Sequence, residues 1–300
     1  MSAVAIAYNP DVGQAVREAL GFIDLEPLVK GKLVAVKPNG TYATAENKNG
    51  VTQPDTLRAV LQVVKQFNPG RLVVSGGSGA GQTGDIYRTV GLMDVIEGEG
   101  VEFFDHNQAP FQEVWLDYAP EEDVKGPQWK VMVNPRVLEY ETLISLSQLK
   151  VHATAGITMA LKNIALSFPA ADYYGHPRGS EEYHKHDFFK DLHSFIAAMA
   201  KRFPIDLAIT SGHPAMIGTG PLKGLPVETG LVIASTDALA ADVVGARLLG
   251  FNAQAIHHLW EAGRLGVGNT KVENMDFPGL DIDEAVKIFT QAAYGQELEY

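Results

Sequence analysis

Short apolar runs alternate with helical segments along most of the chain, and this alternation restricts the fold more than any other feature. Runs such as Lys32–Val36, Arg71–Ser75 and Leu231–Ala234 are short and rich in β-branched residues, which is typical of strands buried on both faces. Apolar residues at helical spacing come between them, as in the segment 54–67. The alternation predicts an α/β fold in which helices cover both faces of a mostly parallel sheet.

The run 142–146 is predicted to form the central strand of this sheet. The residues that we expect to be nearly fully buried are Val36, Val73, Leu143, Ile144, Ile209 and Ile233. A chain of 300 residues is long enough for one large domain or for two lobes. We predict two α/β lobes around a cleft, residues 1–141 with a glycine-rich loop and residues 142–300 with a Lys-His-Lys-Asn segment.

Polar side chains and glycines follow the predicted strands where each strand ends. The carboxyl ends of parallel strands lie at one edge of a sheet, which is where ligands bind in open α/β folds. An ordinary turn would equally explain some of these residues, such as Asn39 after the first strand. The candidate anion-binding residues from these turns are Lys37, Asn39, Ser75, Gly77, Ser78, Gly79, Gly218 and Gly220.

The stretch from Leu143 to Pro169 places Lys150, His152, Lys162 and Asn163 within otherwise apolar sequence. Such groups are costly to bury unless they are paired or used in function. The alternative is a buried strand followed by a helix whose lysines reach the solvent. We expect a helix over about 154–164, with His152 just before it as the proton-transfer residue.

Lys162 would lie on this helix and needs a negatively charged partner. That partner is predicted to be either Asp242 or the anion of a ligand, so Asp242 joins Lys150 and Asn163 among the candidate substrate residues. His106 follows a third strand and is a second candidate acid–base group, although a surface turn explains it equally well.

The segment 79–84 matches the pattern G-x-G-x-x-G, and Asp105 follows 21 residues after Gly84. On this spacing the loop would cradle a pyrophosphate and the acid would bind a ribose, which indicates NAD(P). A general anion site at a helix start, or a turn with a helix cap, would also explain these glycines.

Residues 172–186 form a polar segment with several histidines. His176, His184 and His186 are candidate ligands of a divalent metal, since a loop could bring them together. The same segment is predicted to be a mobile lid over the cleft. A solvated loop that happens to be rich in histidine is the simpler alternative.

The net charge of −12 disfavours a nucleic-acid partner held through its phosphates. The absence of cysteine excludes disulfides, thiolate zinc sites, cysteine nucleophiles and cysteine-held iron–sulfur clusters. No signal peptide and no membrane-spanning run is visible, so we expect a cytoplasmic protein with no membrane partner. The expected partner is a small anionic ligand, and assembly into a homo-oligomer stays open.

The segment LKVHATAGITMALKN, residues 149–163, resembles the signature of a bacterial and archaeal family described as domain of unknown function 362. The similarity continues in IDLAITSGHPAMIGTGPLKGLP, LVIASTDALAADVVGARLLGF and LGVGNTKVENMDFPG, and it reaches back to VAVKPNG and VTQPDTLRAV. It covers about residues 32–280 as one unit. This resemblance implies an α/β fold and the positions of a site, but no reaction. Where family members usually have an acid, this chain has Ser211.

The spacing His152-x3-Gly156-x5-Lys162 is also similar to a segment of the nickel-dependent lactate racemases. This resemblance implies that His152 transfers protons and that Lys162 anchors substrate or a nickel pincer-type cofactor. The racemases carry a second acid–base histidine in a segment that corresponds to VTQPDT, residues 51–56, which has none.

Together these features predict an enzyme that acts on a small anionic metabolite, a hydroxy or keto acid or a phosphate ester, by acid–base chemistry. An isomerase, a racemase or a lyase would fit. The alternatives are a non-catalytic protein that binds a small molecule, metal or cofactor in the same cleft, and an NAD(P)-dependent enzyme that uses Gly79 to Gly84.

Overall fold

The computed structural model describes residues 1–116, 130–183, 185 and 191–297. The strands are β1 (Ser2–Ala3), β2 (Ala5–Tyr8), β3 (Leu33–Pro38), β4 (Arg71–Gly76), β5 (Glu102–Asp105), β6 (Gln112–Trp115), β7 (Lys130–Val133), β8 (Thr142–His152), β9 (Gly156–Thr158), β10 (Leu207–Ile217), β11 (Leu225–Val227), β12 (Leu231–Ser235) and β13 (Met275–Asp276). The helices are α1 (Val12–Leu20), α2 (Glu26–Val29), α3 (Pro54–Lys65), α4 (Thr83–Val90), α5 (Leu92–Gly98), α6 (Ala160–Ala165), α7 (Leu192–Arg202), α8 (Ala238–Leu248), α9 (His257–Arg264) and α10 (Ile282–Tyr294).

A nine-stranded sheet forms the centre of the described structure, in the order β2-β12-β10-β8-β3-β4-β5, with β9 paired to β8 and β11 to β10. The strands β10, β8, β3, β4 and β5 run parallel to one another, whereas β12 is antiparallel to both of its neighbours, β10 and β2. The predicted α/β fold with a mostly parallel sheet is therefore confirmed. Strand β3 of the predicted lobe 1–141 pairs with β8 of the predicted lobe 142–300, so both predicted lobes contribute strands to this one sheet.

The predicted central strand is confirmed, since β8 lies between β3 and β10. Its first nine residues are buried, as expected for a strand with helices on both faces. The predicted core positions are also confirmed: Val36, Val73, Leu143, Ile144, Ile209 and Ile233 are each no more than 5% exposed.

Helices pack on both faces of the sheet. One hydrophobic cluster joins the apolar sides of α1, α3, α4 and α5 to one face, and a second joins α6, α7, α8, α9 and α10 to the other. Local sequence explains several helix starts. Pro54 begins α3, while Asp11 caps α1 and Asp237 caps α8, each by accepting a backbone N–H bond.

The expected helix over 154–164 is wrong in its first half. Strand β8 continues to His152, a tight turn follows, and β9 returns antiparallel before α6 begins at Ala160. The turn ends at Gly156, whose φ of +78° is readily adopted only by glycine. Strand β10 is as long as β8 and continues to Ile217.

None of the described helices is both long and apolar enough to cross a membrane.

Candidate functional site

A buried pocket lies where β3, β8, the loop after β4 and helix α6 meet. Its volume is about 50 Å³. The predicted site residues that line it are Lys37, Asn39, Gly77, Gly79, Lys150, His152, Lys162 and Asn163. The described residues that also line it, and that sequence reasoning did not assign to the site, are Gly40, Thr41, Thr158, Leu166, Ser167, Lys185 and Pro221.

Four lysines dominate this pocket: Lys37, Lys150, Lys162 and Lys185 are each at most 8% exposed. No Asp or Glu is among the described residues that line it. Since the chain as a whole carries a net charge of −12, this positive cluster is opposite in sign to the rest of the protein. We call it the four-lysine pocket.

Lys37 is at the carboxyl end of β3 and donates a hydrogen bond of 2.7 Å to Oδ1 of Asn163. The Asn163 amide donates to the carbonyl oxygen of Lys37 and to Oγ of Ser145, each at 3.0 Å. Asn163 thus joins α6 to the ends of β3 and β8. Burial, followed by the charges of Lys185, Lys150 and Lys162, holds the pKa of Lys37 well below its ordinary value.

Lys150 lies on β8, and its Nζ donates to Oδ1 of Asn39 at 2.9 Å and to the carbonyl oxygen of Gly50 at 2.6 Å. Burial and, to a lesser degree, the charge of Lys162 lower the pKa of Lys150 to about 7. Lys37 and Lys150 are therefore held by neutral oxygens, which position their charges without neutralising them.

Lys162 differs because its Nζ makes no hydrogen bond and no ion pair with any residue that the structure describes. Burial lowers the pKa of Lys162 to about 7. Asp242 is not its partner. The two oxygens of that carboxylate accept from the backbone N–H groups of Ala160 at 2.8 Å and Leu161 at 3.0 Å, at the start of α6. Asp242 lies outside the pocket lining, and burial raises its pKa to about 7.

Lys185 reaches the pocket from the polar segment after α6. Its Nζ donates to the carbonyl oxygens of Gly77 at 2.9 Å and Pro169 at 2.8 Å, and to Oδ1 of Asn107 at 2.7 Å. Burial lowers the pKa of Lys185 to about 7. Lys185 stands between two histidines in a polar stretch. A lysine in such a stretch is expected at the surface, so the local sequence gives no signal that it enters a pocket.

The glycine loop after β4 supplies the opposite wall. A Cβ at Gly77 would overlap the carbonyl oxygen of Ser167, so only glycine allows this approach. Gly79 lies against the Lys185 side chain, while the Ser78 hydroxyl donates to the carbonyl oxygen of Gly40 and stays outside the lining. Helix α4 begins at Thr83. Gly84, the last glycine of the motif behind the NAD(P) prediction, therefore lies inside the helix and not in the loop.

His152, 4% exposed, ends β8 and faces the pocket. Its Nδ1 accepts hydrogen bonds from the backbone N–H groups of Thr154 at 3.1 Å and Ala155 at 3.2 Å. Because Nδ1 is an acceptor, the hydrogen of the neutral ring is on Nε2. In this tautomer Nε2 is the ring nitrogen that can donate a hydrogen bond.

Four other predicted residues lie outside the lining of the four-lysine pocket: His106, Ser75, Gly218 and Gly220. His106 is fully buried, with Nδ1 3.3 Å from Oγ of Ser167 and Nε2 3.1 Å from the Tyr140 hydroxyl. Burial, then the charges of Lys37 and Lys185, holds its pKa well below the ordinary value. A neutral His106 therefore supports Ser167, which does line the pocket.

The predicted metal ligands are only partly described. His176 Nε2 is 2.6 Å from the carbonyl oxygen of Gly79, so His176 packs on the glycine loop. His184 and His186 lie outside the described residues, as does part of the predicted lid. Among the residues that are described, no group of three or more His, Cys, Asp or Glu side chains is arranged to hold a metal ion.

Comparison with known proteins agrees with the first resemblance. Residues 34–247 match the family described as a domain of unknown function, DUF362. A thylakoid-associated protein of Synechocystis sp. is 25% identical over 249 residues, which are 83% of this chain and 72% of that protein. No solved structure matches the chain. These comparisons do not support the similarity to lactate racemases. Because the family match covers more than half of the chain, this protein belongs to the DUF362 family.

Proposed function

We propose that this protein is an enzyme that binds a small anionic metabolite, a hydroxy or keto acid or a phosphate ester, in the four-lysine pocket and acts on it by acid–base chemistry. One observation carries this proposal: four buried lysines line a pocket to which the described residues contribute no carboxylate. Burying an ammonium group without a counter-charge is costly. An anionic ligand supplies the counter-charge that the described lining residues do not provide.

The size of the pocket supports a small ligand. A single water needs roughly 10–15 Å³ of such space, so the pocket volume of about 50 Å³ suits a carboxylate or phosphate group with a few further atoms. Lys37, Lys150 and Lys185 are already fixed by hydrogen bonds, which makes them preorganised binding charges.

Two groups of the pocket support a reaction in addition to binding. His152 lines the pocket, its neutral ring carries the hydrogen on Nε2, and we assign it proton donation to the substrate. Lys162 has its pKa lowered to about 7, so its amine can accept a proton near neutral pH. A donor and an acceptor on one bound anion are the requirement for moving a proton between two of its atoms.

The first experiment measures thermal unfolding with phosphate, lactate, pyruvate and glycerol phosphate. We expect at least one of these anions to raise the unfolding temperature of the protein. Lys37→Met and Lys150→Met should remove that rise, because each deletes a binding charge. The matched control is Lys30→Met, since Lys30 is an exposed lysine paired with Glu26 on the surface. If no anion stabilises the protein, or if the pocket variants respond like the control, anion binding at this site is wrong.

Deuterium incorporation tests the enzymatic part. The bound anion is incubated with protein in heavy water, and exchange at its carbon-bound hydrogens is followed by NMR. We expect exchange with the protein and none with His152→Gln, which should still bind the anion. Binding without exchange or any other turnover would identify a non-catalytic binding protein and overturn the enzymatic proposal.

A further inference from the structure

Lys162 is distinguished from the other pocket lysines by what its amine contacts. Lys37, Lys150 and Lys185 each donate to at least one oxygen of the protein at 2.9 Å or less. The Lys162 Nζ, in the described part of the chain, has neither a hydrogen-bond partner nor an acidic one, although the residue is only 8% exposed. A buried amine that donates no hydrogen bond to the described residues is available to react with a ligand.

The surroundings of Lys162 favour a nucleophilic amine over a simple binding charge. Leu166 and Pro221 add apolar surface to the lining, and Lys150 adds a neighbouring positive charge. Burial favours the neutral amine and lowers the pKa of Lys162 to about 7. A sizeable fraction of Lys162 is then an unprotonated nucleophile at neutral pH.

A second polar group in the same pocket also lacks a partner among the described residues. Thr158 Oγ1 is buried and makes no hydrogen bond with the residues that are described. Thr158 ends β9, two residues before the start of α6, and it lines the pocket together with Lys162 and His152. A buried hydroxyl without a partner costs stability, so a ligand oxygen at this position would satisfy it.

We infer that Lys162 forms an imine with the carbonyl carbon of the ligand, which makes the substrate a carbonyl compound that carries an anionic group. This inference rests on the proposed anion site, narrows its substrate class and gives Lys162 the role of nucleophile in place of that of proton acceptor. The anionic group pairs with Lys37, Lys150 and Lys185, and the carbonyl group lies at Lys162. A 2-oxo acid and a phosphorylated aldehyde or ketone share this chemistry.

The covalent step balances without an oxidant or reductant. The nitrogen lone pair of neutral Lys162 attacks the carbonyl carbon, the carbon–oxygen π electrons move to oxygen, and that oxygen takes a proton. The Thr158 hydroxyl, which lines the pocket together with Lys162, is suited to contact this oxygen. The carbinolamine then loses the hydroxyl with one proton as water, and a carbon–nitrogen double bond remains. Hydrolysis reverses the step.

The test is reductive trapping of the imine. The protein is incubated with pyruvate, 2-oxoglutarate, glyceraldehyde 3-phosphate or dihydroxyacetone phosphate, sodium cyanoborohydride is added, and the adduct is located by peptide mass spectrometry. We expect one stoichiometric adduct on Lys162, formed with the oxo acids or with the phosphorylated carbonyl compounds. An adduct with the oxo acids would identify the anionic group of the substrate as a carboxylate, and an adduct with the phosphorylated compounds would identify it as a phosphate.

Control reactions separate this inference from the proposed function. Lactate carries no carbonyl group besides its carboxylate and should form no adduct. Lys162→Arg and Lys162→Gln should lose the adduct, whereas the exposed-lysine variant Lys30→Met should keep it. An oxo acid that stabilises the protein but is never trapped, or is trapped on another lysine, overturns the imine and leaves the anion site standing. Failure of every anion to stabilise the protein overturns both.

Discussion

Four lysine side chains enter one pocket, yet their ammonium groups are in different situations. Neutral oxygens of Asn163, Asn39 and Asn107 hold Lys37, Lys150 and Lys185, respectively. Lys162 receives no such bond from the described residues. Below pH 7 the folded protein without ligand therefore buries a positive charge at Lys162 that nothing described compensates. This charge lowers the stability of the ligand-free protein, and the same charge is what attracts an anionic ligand.

Lys162→Met should stabilise the ligand-free protein and remove its stabilisation by anions. The pKa of Lys162 falls from 10.5 to about 7 on folding. Between these values the unfolded chain binds a proton that the folded chain does not, so the stability of the unsubstituted protein rises with pH. The gain from the substitution should therefore be largest at or below pH 7, on the order of 5 kcal/mol, and vanish towards pH 10.5.

Chemical denaturation at pH 6.5, 8 and 9.5 measures this effect, with Lys30→Met as the control for loss of a lysine at the surface. The control should change stability by less than about 0.5 kcal/mol. A Lys162→Met protein that unfolds more easily than the unsubstituted protein at pH 6.5 would mean that the lysine is structural.

At the scale of elements, the pocket is built from strand ends and the segments that follow them. Strand β8 ends at His152, β9 carries Thr158, and α6 carries Lys162, so one continuous stretch supplies three pocket groups. The loop after β4 supplies the facing wall, and Gly77 brings its backbone against Ser167 at the end of α6. The separation of these two elements sets the width of the pocket.

Gly77→Ala should weaken anion binding by separating the glycine loop from α6. The added Cβ overlaps the backbone carbonyl oxygen of Ser167, which cannot rotate away as a side chain could. We expect a loss of about 1–3 kcal/mol in stability and at least a tenfold loss in anion affinity. Thermal unfolding and calorimetric titration with the stabilising anion measure both quantities.

The matched control for this substitution is Gly98→Ala in α5, where an added Cβ has no atom within 4 Å. It should leave affinity unchanged and stability unchanged or slightly higher, by up to about 1 kcal/mol. Equal affinities for the Gly77→Ala and unsubstituted proteins would show that the loop does not shape the ligand site.

At the scale of the whole molecule, the distribution of charge is uneven. The chain carries a net charge of −12, while its central pocket gathers four lysines and, among the described lining residues, no acid. Three of these lysines, Lys150, Lys162 and Lys185, have pKa values of about 7. Near neutral pH the pocket is therefore partly deprotonated, and its total charge follows the pH of the solution.

Anion binding should take up protons and weaken as pH rises above 7. A bound anion stabilises the ammonium form, which raises the pKa of each lysine that it contacts from about 7. Linkage then requires the affinity to fall by about tenfold per pH unit for each proton taken up. Calorimetric titration at pH 8 in buffers of different ionisation enthalpy counts these protons. An affinity that stays constant from pH 6.5 to pH 9 would contradict the lowered lysine pKa values.

The sequence by itself determined the fold class and the identity of the central strand. Alternating buried runs and amphipathic helices are local patterns, and they predicted a mostly parallel sheet with the 142–146 run at its centre. The polar residues at strand ends were predicted to lie together, and Lys37, Asn39, Lys150 and His152 do line one pocket. A parallel sheet brings such ends together whatever the loops do.

Only the tertiary structure decided which of these groups are partners. Asp242 accepts from Ala160 N–H, 82 residues away in the chain, and Lys185 donates to the Gly77 carbonyl oxygen, 108 residues away. Helix periodicity also missed the turn and β9 before Lys162, because β9 is stabilised by pairing with β8. Propensity and periodicity report on neighbours within a few residues. The contacts that cap α6, fill the pocket and leave Lys162 without a described partner join segments that only the packed sheet brings together.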